Sequence, residues 1–574
     1  MRNVHRWIYA RAAAGVLLIV TVGAAGAQDN RPAAQDRIDS AAWRQDLQVL
    51  AAELPRLHPL LFEQLTPTRL TRAAFDSAVG DLDRRIPTLQ RHEIVVGLQR
   101  IVALAGDGHT SINASFDPNL GYRYYPLRLE ALADGIFVVA ADSAHAALVG
   151  REVRRIGKVP AAEALRRVGT IVSHENEQFL RAHGTLYLMV PEVLHALGIT
   201  AGVDRAELAL SGTGPDTTAV LIPAGPLRPA GHGMQRPIDE TRWVTLRPAA
   251  TPPPFYLSHD EPRWVEYLPA TRTLYVAYQS SMPPRDGESI PAFFARVFAL
   301  ADSVKPERLI LDVRGNIGGE SFFNRQLVLG IVRRPALDRR GAFFAVIGRG
   351  TYSAAQNLVN ELERYTNVTF AGEPTASPPA FFGDHEAVRL PRSGISVNIA
   401  TLWWAAPLNP RDRRPFTAPR VFAEPTSADV RAGRDPVLEA IDRWGKSPRL
   451  TAELTAALAS ADTGLPARRL AEFRARTENR YADVEPEVNA LGYALLGSAP
   501  RDAVRVFELN VAAFPHSANA HDSLGEAYER TGRREDAVRL YRRALALDPR
   551  MGNSRDGLAR LGQASGAGAA APGH

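Results

Sequence analysis

Between residues 265 and 445 the sequence changes period again and again, and this alternation limits the fold more than any other feature. Short apolar and β-branched runs at 274–278, 308–313, 343–347 and 368–371 read as buried strands. Between them, 291–304, 321–332 and the segment from Ser353 onward carry apolar residues at helical spacing. Strands that alternate with helices predict an α/β layer built on a mainly parallel sheet. Ligands of such sheets bind beyond the C-terminal strand ends. Two glycine-rich segments lie at those ends, Arg314 to Gly319 and Gly348 to Ser353.

The second of these segments, FFAVIGRGTYSAAQ (343–356), carries a serine from an apolar strand through a glycine turn to the first turn of a helix. There the helix N-terminal amides and dipole stabilise developing negative charge. A serine at a strand–helix junction also serves as an ordinary N-cap, so the address alone leaves both roles open. The first segment, LILDVRGNIGG (309–319), is a buried strand that opens into paired glycines, whose amides can face an oxyanion without side-chain interference. A third stretch, GDGHTS (106–111), sets His109 on a turn just after a packed helix. A neutral imidazole is the usual base for activating a serine at neutral pH. Asp384-His385 offers a rival base from the segment that follows the serine.

Taken in order, GDGHT (106–110), LILDVRGNIGG (309–319), TYSAAQ (351–356), GEPT (372–375), LPRSGISV (390–397) and AEP (423–425) resemble the S41 peptidase family of tail-specific, C-terminal-processing and tricorn-type serine proteases. The resemblance covers roughly residues 40–445. It implies a serine peptidase with Ser353 as nucleophile and an oxyanion hole drawn from Gly318 or Gly319 together with the Ala354 amide. Processing members use a lysine about three residues past the GEPT threonine. Pro378 stands there, and no lysine lies between Ser353 and Trp404. The tricorn-type branch takes a histidine from upstream, which points to His109. Its glutamate matches Glu424 best; Gly108 stands where that branch has a serine before the histidine, so this serine is either missing or replaced by Thr110. Gln356 stands where the family carries a glutamate. A non-catalytic S41-fold protein that holds a peptide or ligand without cutting it is the alternative these departures leave open.

The rest of the chain organises around this core. Arg2, Arg6 and Arg11, the apolar stretch from Ala12 to Val22 and Ala25-Gly26-Ala27 give residues 1–27 the form of a secretory signal peptide. A mature chain starting near Gln28 is expected to be periplasmic or secreted, with no stable membrane anchor once the signal is cleaved. The 574-residue sequence has no cysteine, so neither a disulfide framework nor a lipoprotein attachment site exists. The net charge of +6 is spread as arginines among acids rather than gathered into a basic stripe, which argues against a nucleic-acid partner. No HExxH or paired ligands at metal spacing occur, and no phosphate- or dinucleotide-binding loop, so neither a metal nor a cofactor is expected.

Helical spacing marks 28–118 as a helical N-terminal domain carrying GDGHT. Strands and helices at 119–222 read as a small α+β module, a degenerate PDZ-like one by the resemblance of GREVRRIGKVPAAEAL (150–165). A Pro/Gly-rich connector fills 223–264, the peptidase-type core 265–445 and a helical linker 446–480. At 481–562, Leu491-Gly492 against Leu524-Gly525, and Pro515 against Pro549, recur with the roughly 34-residue period of tetratricopeptide repeats. Two units are few for independent stability. They are expected to pack on the preceding region or on another copy of the chain, and to recruit a protein partner or substrate. The tail 563–574 reads as disordered.

Overall fold

The computed structural model describes residues 38–63, 65–113, 117–212, 216–226, 243–405, 412–446 and 449–567. The expected signal peptide at 1–27 lies outside the described residues. The chain is a mixed α/β protein with an all-α C-terminal part.

Its centre is a six-stranded sheet in sequence order: Arg263–Leu268, Thr273–Tyr278, Arg308–Asp312, Phe343–Ile347, Thr369–Gly372 and Val421–Phe422. The first pair is antiparallel and every later pair parallel. Because each parallel strand is added on the same side, right-handed crossovers place their helices on one face. Ile290–Val304, Asn324–Val332 and Ala354–Tyr365 pack there against Leu274, Val276, Leu309, Leu311, Phe343 and Ala345. The alternate residues Tyr275, Ile310, Phe344 and Val346 face the other way, onto Val437, Ala440 and Ile441 of the helix Pro436–Arg443. Covering both faces is why these strands read as continuous apolar runs. Each leucine fully buried here contributes about 1.5–3 kcal/mol.

The helical segment and the α+β module, expected as separate units, share one hydrophobic core. Trp43, Leu47, Leu50, Val95 and Leu98 join Val138, Ile156 and Leu208 in it, along with Val397 and Ile399 from beyond the central sheet. The last two belong to the hairpin Phe381–Arg389 and Ser396–Trp404, which leaves the sheet after Gly372 and docks on the N-terminal helices. The tip of the hairpin is held by buried acids of that layer. Asp46 accepts the Arg392 and Ser393 amides, both at 2.8 Å, and Asp117 accepts the Ser396 amide at 2.6 Å. The module itself is an antiparallel sheet of Leu127–Leu132, Gly135–Asp142, Glu152–Ile156, Ala206–Ser211 and Thr217–Leu221.

Two of the expected boundaries change. The connector is not merely irregular: Trp243–Thr245 pairs with Gly135–Asp142, and the edge strand of the central sheet starts inside it, at Arg263. Its prolines interrupt it without preventing short strands at its ends. The helical linker contains Leu450–Leu458 and Leu465–Ala475, which pack through Leu454 and Phe473 on Val488 and so extend the helix-pair array toward the core. The repeats follow as Val484–Leu496 with Pro500–Ala513 and Ala518–Arg530 with Arg534–Leu547. At equivalent places Gly492 and Gly525 lie flat against the rings of Phe507 and Tyr541, where an added Cβ would come within 2.5 and 2.9 Å. The last helix runs from Gly552 to Ala567 and enters the stretch expected to be disordered; residues 568–574 lie outside the described residues. Among the described residues no helix is long and apolar enough to cross a membrane.

The hairpin's dependence on Asp46 is testable. Asp46→Ala leaves two amides without their acceptor, each worth about 1–3 kcal/mol when buried. Hydrogen exchange across 381–404 should accelerate while the repeat helices stay protected, and unchanged exchange in the hairpin would contradict this docking.

Candidate active site

The strands ending at Asp312 and Ile347 are adjacent and parallel, so the loops that follow them emerge side by side. Thr351 Oγ1 donates to the Val313 carbonyl at 2.9 Å and the Tyr352 amide to the Asn316 carbonyl at 3.1 Å, which joins the two loops. Their approach requires glycine: a Cβ on Gly350 would stand 2.6 Å from the Arg314 carbonyl oxygen. Arg314 itself is bound to Asp312 and Asp435 and stacks over Tyr256, so the Asp-x-Arg pair braces the loop from behind.

Ser353 emerges from this junction at φ 57° and ψ −124°. For a residue other than glycine such a conformation stores about 1–3 kcal/mol. It stands at the N-cap position of the helix Ala354–Tyr365 but makes no capping hydrogen bond. The N-cap reading therefore fails, because the strained backbone turns Oγ away from the helix amides. Instead Oγ meets His109 Nε2 at 2.9 Å.

His109 arrives from the N-terminal layer. Asp107, fully buried, accepts the His109 amide at 3.0 Å and the Thr110 amide at 2.7 Å through one oxygen, and His58 Nε2 meets the other at 3.0 Å. The loop then pairs with the hairpin: Ser111 and Asn398 exchange backbone bonds at 2.8 and 2.9 Å, and Thr110 Oγ1 accepts the Ala400 amide at 3.0 Å. The imidazole stacks on Tyr352 at 4.5 Å and lies 5.9 Å from Phe381. Its second nitrogen, Nδ1, is hydrogen-bonded to the Tyr352 hydroxyl. Burial pushes His109 down to about 4, with the nearby His385 acting the same way and Asp107 opposing both. The ring is therefore neutral over the neutral pH range.

The glycine pair passes beneath the serine. Gly318 adopts φ 106°, and a side chain on it would stand 2.7 Å from Ser353 Cβ and 2.9 Å from the Ala354 nitrogen. The Gly318 amide donates to Asn316 Oδ1 at 3.0 Å and is thus already used. Among the described residues the Gly319 and Ala354 amides have no acceptor. Of the three donors expected for an oxyanion hole, these two remain open and Gly318 supplies clearance.

Glu424 requires a correction. It does not reach His109; it accepts from Arg349 at 2.7 Å and from Arg181, in a buried cluster that includes Glu373. Two guanidinium groups compete for it, and the position next to His109 Nδ1 is filled by Tyr352. His385 lies exposed on the hairpin strand, and Ser353 makes its bond with His109. Gln356 is buried and donates to Asn360 and Thr417 at 2.9 and 3.0 Å, which makes it an internal brace of the helix. Tyr352 is the residue missed from the sequence, although it stands directly before the serine. Among the described residues no group of three or more His, Asp or Glu side chains is placed to hold a metal ion.

Set beside known proteins, residues 520–554 match the tetratricopeptide repeat family. No curated protein sequence matches the chain. Among solved structures, similar folds include mature CPAF complexed with lactacystin, 13% identical over 70% of this chain and 98% of that one, with a TM-score of 0.49. The photosystem II D1 C-terminal processing protease is 12% identical over 70% of this chain and 99% of that one, with a TM-score of 0.31. The tricorn protease is 11% identical over 70% and 36% of the two chains, with a TM-score of 0.28.

A titration of His109 followed by NMR should show a midpoint near 4, against about 6.5 for an ordinary histidine. Because the folded value is depressed, the unfolded chain takes up the proton first. The fold therefore loses stability as pH falls from about 6.5 toward 4 and gains none from this residue above that window. A midpoint at 6 or higher would show that the ring is not desolvated as described.

Proposed function

We propose that the protein is an exported S41-type serine peptidase that hydrolyses peptide bonds through an acyl-enzyme on Ser353, with His109 as general base. The observation that carries this reading is the 2.9 Å contact between His109 Nε2 and a Ser353 Oγ freed from its capping role by a strained backbone. Strain of this kind at a half-buried hydroxyl that caps nothing is a property of sites rather than of caps.

Ser353 Oγ attacks the carbonyl carbon of the peptide while its proton passes to His109 Nε2. Negative charge develops on the carbonyl oxygen, where the Gly319 and Ala354 amides and the helix N-terminus are available to stabilise it. His109 then returns the proton to the departing amine, and water repeats the sequence on the acyl-enzyme. Tyr352 fixes the plane of the imidazole from the other side. Nothing in this cycle needs Glu424.

The export assignment rests on the form of residues 1–27 and places the enzyme in the periplasm or outside the cell. The tetratricopeptide region has the capacity for protein interaction, and we assign it the recruitment of a protein partner or substrate, or assembly with a second copy. It is joined to the core by the Arg420–Glu487 ion pair and by Tyr481 against Phe416 and Phe422, so whatever it binds is held near the catalytic layer.

A fluorophosphonate probe should label the wild-type protein, and Ser353→Ala should abolish the labelling. His109→Gln should slow hydrolysis of a varied peptide library about 10²–10⁴-fold, the usual worth of a general base. A wild-type chain that neither labels nor cleaves is a binding protein built on the same fold, and the peptidase reading falls. The exported form should begin near Gln28 by N-terminal sequencing; a chain that keeps Met1 in the cytoplasm would reject export.

A further inference from the structure

Gly319 displays more than an open donor. The segment that follows the strand Thr273–Tyr278 runs beside the glycine pair as a short parallel bridge. The Ser281 amide donates to the Gly318 carbonyl at 3.1 Å, and the Glu320 amide donates to the Ser281 carbonyl at 3.0 Å. These two bonds fix both peptide planes of Gly319. In a planar trans peptide the C=O and the N–H point in opposite directions. With the Gly318 carbonyl and the Glu320 amide both turned toward Ser281, the N–H and the C=O of Gly319 both point away from it. They therefore share one edge of the segment 318–320. Gly319 is exposed, and among the described residues neither group has a hydrogen-bond partner.

The inner edge is held firmly. A Cβ on Gly319 would stand 2.5 Å from the Met282 nitrogen, so the two backbones lie this close only because the residue is glycine. Buried Asn316 anchors the same pair, accepting the Gly318 amide at 3.0 Å and donating to the Tyr278 carbonyl at 2.8 Å. The open edge lies next to the nucleophile, since a Cβ on Gly318 would stand 3.1 Å from Ser353 Oγ. A strand edge with unpaired N–H and C=O groups is a template for pairing with another extended chain. An acyl group alone has use only for the donor. The free acceptor beside it calls for an N–H, and a peptide main chain carries both groups at strand spacing.

We propose that Gly319 pairs with the main chain of an extended peptide through both groups: its N–H donates to the carbonyl oxygen under attack, and its C=O accepts an N–H of the same peptide. That the paired carbonyl is the scissile one rests on the peptidase reading; the pairing itself does not. A peptide running antiparallel to 318–320 offers the N–H of the residue that owns the carbonyl, because opposite residues then exchange both bonds. A peptide running parallel offers the N–H two residues further on, past the scissile bond.

Ester analogues test this. In a peptide that the full-length protein cleaves, each of those two N–H groups is replaced in turn by an ester oxygen, and kcat/KM is measured at the unchanged scissile amide. One replacement should slow cleavage about 3–10-fold, the usual worth of a hydrogen bond, and the other should not. Glu320→Pro removes the amide that holds the Gly319 carbonyl in place, at a residue whose φ of −89° lies near that of proline, and should erase the difference. NMR of full-length Ser353→Ala gives a second readout if that variant does not fold. The sequence contains a single Gly-Gly pair, 318–319, so carbonyl carbon-13 and nitrogen-15 labels on glycine give one correlation across a peptide bond, that of the Gly319 amide. Carbonyl carbon-13 glycine with nitrogen-15 glutamate reports the Gly319 carbonyl, identified by its loss in Glu320→Gln. The peptide should shift both signals, and the ester analogue that slows cleavage only the amide. Cleavage indifferent to both esters, or a carbonyl that does not respond to a peptide that moves the amide, overturns the proposal. If the wild type cleaves nothing, the tightest-binding peptide of the library takes its place. Shifts in both signals then uphold the pairing and reject the peptidase, and a library without a ligand rejects both.

Discussion

The pairing of Ser111 with Asn398 is the contact on which the site depends. Ser353 and His109 lie 244 residues apart and belong to different layers, and no local stretch of chain can bring them together. What does so is a hairpin that leaves the central sheet, crosses to the N-terminal layer, buries Val397 and Ile399 in that layer's core and takes the GDGHT loop as a short extension of its own edge. The position of the imidazole is thus set by a shared hydrophobic core, and its register by two backbone hydrogen bonds. Serine and histidine meet only once both layers have folded and docked.

Around that contact the chain tolerates conformations it would avoid elsewhere. Ser353 has a positive φ, Gly318 passes beneath it with no room for a side chain, Gly350 lets the Arg314 backbone approach to a distance a Cβ would forbid, and Gly108 does the same for the side chains of Tyr352 and Phe179. Each of these is unfavourable locally. They persist because the surroundings are rigid: apolar strands covered on both faces, the Arg314 cluster behind the first loop, and buried Asp107 holding the second. The strain is confined to the few residues where donors and a hydroxyl must be displayed rather than satisfied.

The sequence made the central layer legible because its two periods are clean: Leu274–Tyr278 and Phe343–Ile347 can hardly be anything but buried strands, and Leu358, Val359 and Leu362 fix one helix face. Ser353 was legible through the strand, turn and helix around it, and His109 through the motif that carries it. Glu424 was misread because its motif neighbourhood says nothing of Arg181 and Arg349, which arrive from distant segments and take its charge. Tyr352 stood in view next to the serine, but a tyrosine at a turn has no periodic or spacing signal to mark it as a partner for a ring 243 residues upstream. The union of the helical segment and the module into one core was hidden for the same reason, because the hairpin that bridges them is remote in sequence.

On the peptidase reading proposed above, a base held near 4 at rest is a weak one, and the arrangement of charges shows how it would become adequate. Proton transfer from serine is most efficient when the base has a pKa near the working pH. Burial lowers His109 at rest, and Asp107 only partly offsets it. On that reading, formation of the oxyanion would bring a unit charge to within a few ångströms of the ring. At about 4 Å in surroundings of effective dielectric near 20, such a pair is worth roughly 4 kcal/mol, or about three pK units. That would lift His109 from about 4 to near neutrality, and only while the transition state exists. Burial of the imidazole and the open Gly319 and Ala354 amides then act in one sense: the first keeps the ring neutral and receptive at rest, and the second localise the charge that makes protonation favourable at the moment it is required.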